Sequence, residues 1–337
     1  MTLIKAMAVS DTRAHFLPFS FDPGPLGAEQ VEIAVEYCGI CHSDLSMALN
    51  EWGMTMYPFV PGHEVCGRIV AAGPAVRGLS VGQRVGLGWF SHSCLHCDHC
   101  KSGDHNLCGG AEQTIVGRHG GFANRVRANW EWVTPLSEEV DPISAGPLFC
   151  GGITVFNPLL QSNVLPIHHV GVVGIGGLGH MALQFLRAWG CEVTAFSTSP
   201  EKADHARRLG AHHFVDSRDE SAMKHLAGQF HLILSTVNVE LDGDLYISML
   251  APKGTLHYVG VGPRHTSTIF PMLAGQKGVR ATPLGSPVNT RRMMEFATRH
   301  KIRPQVEVLP MSEVNRAFDI LRHQRIGHRL VLRNDLD

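Results

Sequence analysis

Four cysteines crowd into one short stretch of this chain: Cys94, Cys97, Cys100 and Cys108, separated by two, two and seven residues in a segment rich in Gly, His and Asp. So few apolar side chains accompany them that the segment needs another source of order. Four thiolates about 2.3 Å from one Zn²⁺ close a tetrahedral site with no position left for substrate, and metal binding then supplies the folding free energy. An iron–sulfur cluster is the competing use of two successive CxxC steps; the wide last gap and the missing Cys-Pro favour zinc. With four thiolates at hand, His92, His96, His99 and His105 read as solvated surface residues.

A second set is scattered along the chain. Cys41 stands in Cys38-Gly39-Ile40-Cys41-His42-Ser43-Asp44, His63 and Glu64 in Pro61-Gly62-His63-Glu64, and Cys150 ahead of Gly151-Gly152-Ile153-Thr154. Spacing alone does not group these residues. Two thiolates and one imidazole would nevertheless leave one tetrahedral position open for water or a substrate oxygen, as a reactive zinc centre requires. Cys38, Cys66 and Cys191 lack such a frame and read as small buried apolar side chains.

The apolar run Val170–Val173 leads through Gly174-Ile175-Gly176-Gly177-Leu178-Gly179 into the helix-forming His180-Met181-Ala182. In this strand–turn–helix setting G-x-G-x-x-G predicts a dinucleotide site at Gly174, Gly176, Gly177, Leu178 and Gly179. The glycines permit a tight turn and close backbone approach, and the helix N-terminus stabilises a pyrophosphate. The next strand ends in Ser197-Thr198-Ser199-Pro200-Glu201-Lys202, where an NAD-specific site would place an acid. Its absence removes repulsion of a 2′-phosphate, and the hydroxyls of Ser197, Thr198 and Ser199 with the Lys202 charge favour NADP(H). Glu201 is the feature that suits an ordinary turn tolerating NAD.

With these segments in this order, the chain resembles the zinc-dependent medium-chain alcohol dehydrogenases, in their cinnamyl-alcohol-dehydrogenase-like branch with its bacterial aldehyde reductases. The resemblance covers essentially the whole sequence. It implies an α/β fold: a Rossmann doubly wound sheet plus a β-rich, GroES-like catalytic domain. It also implies a catalytic zinc on Cys41, His63 and Cys150 with Glu64 behind them, and two zinc ions per chain in all. Asp44 would orient His63, and Ser43 would pass the proton of an aldehyde/alcohol conversion. Three residues beyond Ser43, where many relatives end this relay with histidine, stands Ser46, which is no base near neutral pH. His42, Thr154 and Arg329 would contact the cofactor, and the chain is expected to form a homodimer, through strands near residues 270 to 285.

Trp52, Met54, Met56, Tyr57, Trp89 and Phe90 flank the zinc motifs and are expected to line an apolar pocket suited to aromatic or medium-chain aldehydes. Two domains must position these groups, since 337 residues exceed what one core usually fills. Short β-like runs with Gly/Pro punctuation occupy residues 29 to 133, and apolar strands alternate with helical stretches from 153 to 284. The expected boundaries are 1–152 with 285–337 for the catalytic domain and 153–284 for the nucleotide domain. Lys+Arg 29 against Asp+Glu 30 leaves no basic surplus for nucleic acid or anionic lipid. No apolar leader opens the chain, and nine cysteines without a secreted framework suit a cytoplasmic protein.

Overall fold

The computed structural model describes residues 3–262, 264–323 and 327–336. The chain divides into two compact units, one of Met1–Cys150, Gly285–Thr298 and Arg303–Asp337, the other of Gly151–Leu284 and Arg299–Ile302.

In the second unit six parallel strands stand in the order His213–Asp216, Glu192–Ser197, His169–Val173, Phe230–Ser235, Leu250–Tyr258, Gly278–Ala281. Numbered along the chain this is 3-2-1-4-5-6, the doubly wound order, in which the sequence reverses direction beside the first strand. A strand covered on both faces reads as a continuous apolar run, as in His169–Val173, where Val170 to Val173 are all buried. Phe196, Phe230, Ile233 and Leu256 are completely buried in this core. The helix Gly179–Trp189 stops at Gly190, whose φ of 102° ends the turn at little cost.

The first unit is built on a seven-stranded sheet around the eleven-residue strand Gln30–Ile40. Its antiparallel partners are Val65–Ala72, Arg125–Asn129 and Arg329–Arg333. The last of these starts 289 residues beyond Ile40, yet Leu330 pairs with Ile40 and Leu332 with Cys38. This pairing carries the C-terminal segment back to the first sheet. The apolar run Val170–Val173 forms the strand His169–Val173 that leads into the glycine-rich turn. Among the described residues no single helix is long and apolar enough to cross a membrane.

Candidate active site and metal centres

The loop between Ile40 and the helix His42–Ala48 places Cys41 at the helix start, where its N–H donates to Asp44 Oδ2 at 2.9 Å. Asp44 Oδ1 accepts the Gly62 N–H at 2.9 Å and lies 3.0 Å from His63 Nδ1. One fully buried carboxylate therefore fixes three segments and turns His63 Nε2 towards Cys150 Sγ, 3.3 Å away. Gly62 has to be glycine: its φ is 103°, and a Cβ would stand 2.6 Å from the Phe122 backbone nitrogen. Cys150 Sγ is 3.7 Å from Cys41 Sγ, which is 3.7 Å from Ser43 Oγ. One ligand atom each from Cys41, His63, Glu64 and Cys150 falls within 4.8 Å of the others, with all four residues buried.

The electrostatics of this cluster are those of a cation site. The hydrogen bond from Cys150 pulls the Cys41 thiol well below its usual pKa, and the same bond pushes Cys150 well above it. Burial alone would lower His63; the Asp44 charge and hydrogen bond override it and leave the imidazole strongly basic. Burial raises Glu64 to about 7 even though the Arg329 guanidinium opposes the shift. Glu64 Oε2 is buried without a hydrogen-bond partner among the described residues. Unpartnered buried anions are costly, so two thiol groups, an imidazole and a spare carboxylate oxygen fit a divalent zinc ion.

The four clustered cysteines also fit a closed zinc site. Cys94 Sγ is 3.5 Å from Cys108 Sγ and 3.9 Å from Cys100 Sγ, close to the roughly 3.8 Å edge of a tetrahedron with 2.3 Å zinc–sulfur bonds. These distances are far too long for disulfides. Backbone N–H groups of His96 and Cys97 draw the Cys94 thiol down to about 6, while burial pushes Cys100 up to about 12. His96 and His99 are exposed as expected. His105 and His92 correct that expectation: His105 Nδ1 is 3.1 Å from Ser93 Oγ, which accepts from Trp132 Nε1, and His92 faces the buried Glu131 at 3.4 Å. They form a polar layer beneath the lobe.

Of the expected pocket residues, Trp89 lies edge-on to His63 with ring centroids 4.9 Å apart, and Trp52 stands against Trp89 at 6.2 Å. Phe90 departs from expectation, being buried against Trp132 under the cysteine lobe. Met54 and Met56 are exposed, and Tyr57 donates to the Ala48 carbonyl. Arg329, expected at the cofactor, is buried and ion-paired to Glu64, a partnership invisible in the sequence. His42 is exposed on the first turn of its helix, Thr154 is half-buried on the helix Gly151–Gln161, and Ser46 is buried.

In the second unit the glycine-rich turn takes the form that close backbone approach needs. Gly174 has φ 90°, a Cβ at Gly179 would run into the Gly174 carbonyl, and a Cβ at Gly176 would meet nothing within 4 Å. The turn thus offers an open face for a phosphate group. Thr236, missed by sequence reading, anchors it by donating to the carbonyls of Val173 and Gly174. Lys202 Nζ donates to the Ile175 carbonyl at 3.1 Å, which brings the Ser197–Lys202 turn beside the glycines. Ser197 Oγ accepts from the Ser199 N–H at 3.1 Å.

A reactive zinc-type centre in one unit and a dinucleotide turn in the other define the class as a metal-dependent dehydrogenase. Residues 27–138 match the alcohol dehydrogenase GroES-like domain and residues 177–299 the zinc-binding dehydrogenase domain. The chain is 51% identical to the aldehyde reductase AdhA of Synechocystis, over 98% of both chains. Its structure resembles a Sorghum bicolor cinnamyl alcohol dehydrogenase with TM-score 0.95 and 34% identity, covering 100% of this chain and 99% of that one. It also resembles a Helicobacter pylori cinnamyl alcohol dehydrogenase complexed with NADP(H), with TM-score 0.91, 30% identity and 98% coverage of each. The chain belongs to the zinc-binding dehydrogenases of the alcohol dehydrogenase family and is an oxidoreductase.

Proposed function

We propose that this enzyme interconverts aldehydes and primary alcohols with NADP(H), chiefly as an aldehyde reductase, using zinc held by Cys41, His63 and Cys150. The observation that carries this reading is the buried Cys41–His63–Cys150 cluster with Glu64 behind it. The 51% identical aldehyde reductase supports the reaction, and the NADP(H) complex of the Helicobacter relative supports the cofactor. A second zinc, on Cys94, Cys97, Cys100 and Cys108, serves structure.

Bound at these sites, zinc would supply Lewis acidity towards a carbonyl oxygen and the reduced dinucleotide would supply hydride. The chain's own groups do the rest. Asp44 holds His63 in one orientation and tautomer through Nδ1, leaving Nε2 directed at Cys150. Ser43, beside Cys41 Sγ, is the hydroxyl that passes a proton to the product oxygen. Trp89 and Trp52 present apolar ring surface next to His63, which favours aromatic and medium-chain aldehydes over polyols. The glycine turn receives the pyrophosphate, and Ser197, Thr198, Ser199 and Lys202 receive the 2′-phosphate.

A homodimer is part of this reading. The strand Gly278–Ala281 is last in its sheet, and the helix beside it exposes Ile269, Phe270 and Leu273 by about 70% each. Such an apolar edge suits a second copy of the chain. Nine free cysteines, several in ligand sets, suit the reducing cytoplasm.

The test is initial-rate reduction of benzaldehyde, cinnamaldehyde, hexanal and butanal with NADPH and with NADH, on protein whose zinc has been counted. NADPH-driven turnover with about two zinc ions per chain is expected. No turnover on any aldehyde despite full zinc loading would overturn the assignment.

A further inference from the structure

Three successive carbonyls of the glycine-rich turn are each held by a side chain from a different part of the unit. Thr236 Oγ1, just past the strand Phe230–Ser235, donates to the Gly174 oxygen at 3.0 Å, and Lys202 Nζ donates to Ile175 at 3.1 Å. His180 Nδ1, on the first turn of the helix Gly179–Trp189, lies 3.2 Å from the Gly176 oxygen. In a trans peptide the carbonyl of one residue and the N–H of the next point in opposite directions. Holding these three carbonyls therefore fixes the N–H groups of Ile175, Gly176 and Gly177, none of which makes a hydrogen bond among the described residues. A Cβ at Gly176 would meet nothing within 4 Å, so the turn is open there.

His180 is the member of this set that the glycine motif does not account for. A carbonyl oxygen only accepts, so the hydrogen of the contact sits on Nδ1. The Gly176 oxygen also accepts the His180 backbone N–H at 3.0 Å, and one residue thus engages it twice. A histidine ring reaching the carbonyl four residues back is ordinary on a surface helix; His225 Nδ1 does so to Ser221 at an exposed position. His180 differs in two respects. Its side chain is completely buried, and its acceptor precedes the helix and belongs to the turn. Met181, Ala182 and Leu183, which follow it, are completely buried apolar residues. An imidazole in such a place carries a desolvation cost that an apolar side chain of similar size avoids, and the bond to Gly176 offsets it.

We propose that His180 is a positioning residue for the cofactor: its Nδ1–H holds the Gly176 carbonyl, and through that peptide the Gly177 N–H, in the orientation that receives the pyrophosphate. The proposal rests on the glycine turn being the pyrophosphate seat. Because NADPH and NADH carry the same pyrophosphate, His180 acts on both alike, whereas the Ser197–Lys202 turn acts on their ratio.

The test measures dissociation constants for NADPH and NADH by fluorescence titration, with thermal melts alongside, on zinc-loaded full-length parent, His180→Leu, His180→Asn and Gly176→Ala. Leucine keeps bulk and removes the donor; asparagine places an amide nitrogen near the position of Nδ1. His180→Leu is expected to weaken both cofactors by about the same factor, on the order of tenfold, with their ratio unmoved, and His180→Asn to recover most of that loss. Should His180→Leu fold poorly, His180→Gln, whose amide lies one bond too far out, replaces it in the comparison with His180→Asn. Gly176→Ala puts a methyl group into the open side of the turn and should weaken both cofactors by itself. Parent-like affinity in His180→Leu beside a weakened Gly176→Ala would overturn the role of His180 alone. Unchanged affinity in Gly176→Ala would remove the pyrophosphate seat and the proposal with it. Equal losses in the leucine or glutamine variant and in His180→Asn, following the loss in melting temperature, would assign His180 to packing and overturn the proposal.

Discussion

His63 Nδ1 and Asp44 Oδ1 lie 3.0 Å apart with both side chains completely buried, and Asp44 uses its remaining capacity on the backbone of Cys41 and Gly62. The carboxylate therefore organises the metal-type cluster without offering it a ligand atom.

Replacing Asp44 by Asn keeps the shape but removes the charge that makes His63 basic. Zinc affinity or turnover should drop by about 10–100-fold, the usual cost of losing a ligand-orienting carboxylate. Zinc titration against a competing chelator measures it, and unchanged affinity would assign Asp44 to helix capping alone.

Cys150→Ser removes one thiolate from the buried cluster. Turnover should fall by roughly 10³-fold or more, zinc content should drop from about two to about one per chain, and NADPH binding should persist. Metal analysis with fluorescence titration of NADPH separates these outcomes; retained activity would remove the zinc mechanism.

Cys97→Ala acts on the other site. Loss of a metal from a lobe with so little core should cost more than about 4 kcal/mol of unfolding free energy. Denaturant melts of parent and variant provide the comparison, and equal midpoints would argue against a structural ion.

Ser197 Oγ already accepts the Ser199 N–H, so Ser197→Asp can preserve this turn while placing a carboxylate where the 2′-phosphate is expected. Like-charge repulsion should lower kcat/KM for NADPH by about 10²-fold and spare NADH. An unaltered cofactor ratio would mean that the phosphate is read elsewhere.

His257 is fully buried, 3.4 Å from Ser162 Oγ and 3.2 Å from Thr282 Oγ1, and burial followed by the Arg280 charge lowers its pKa from the usual histidine range to about 4. The unfolded chain then binds the extra proton first as the solution is acidified. Its contribution is complete above pH 6.5 and is lost as pH falls towards 4, by up to about 3 kcal/mol. His257→Gln should flatten the stability profile across that window, which denaturant titrations at successive pH values will reveal.

The sequence determined the local chemistry. Cys94, Cys97, Cys100 and Cys108 lie within fifteen residues, and the glycines of 174–179 share a single turn, so spacing constrains their geometry directly. The strand–helix alternation that builds the parallel sheet was likewise legible, because strands covered on both faces read as continuous apolar runs. Tertiary structure alone decided which distant residues meet. Cys41 and Cys150 are 109 positions apart, and Glu64 and Arg329 are 265 apart. Glu64 and Arg329 come together because the strand Gln30–Ile40 pairs on one side with Val65–Ala72 and on the other with Arg329–Arg333. The same long-range packing put Phe90 under the cysteine lobe and His105 into a hydrogen-bonded layer. No local pattern specifies such placements, since burial against a remote segment depends on the registers of strands that the neighbouring residues do not encode.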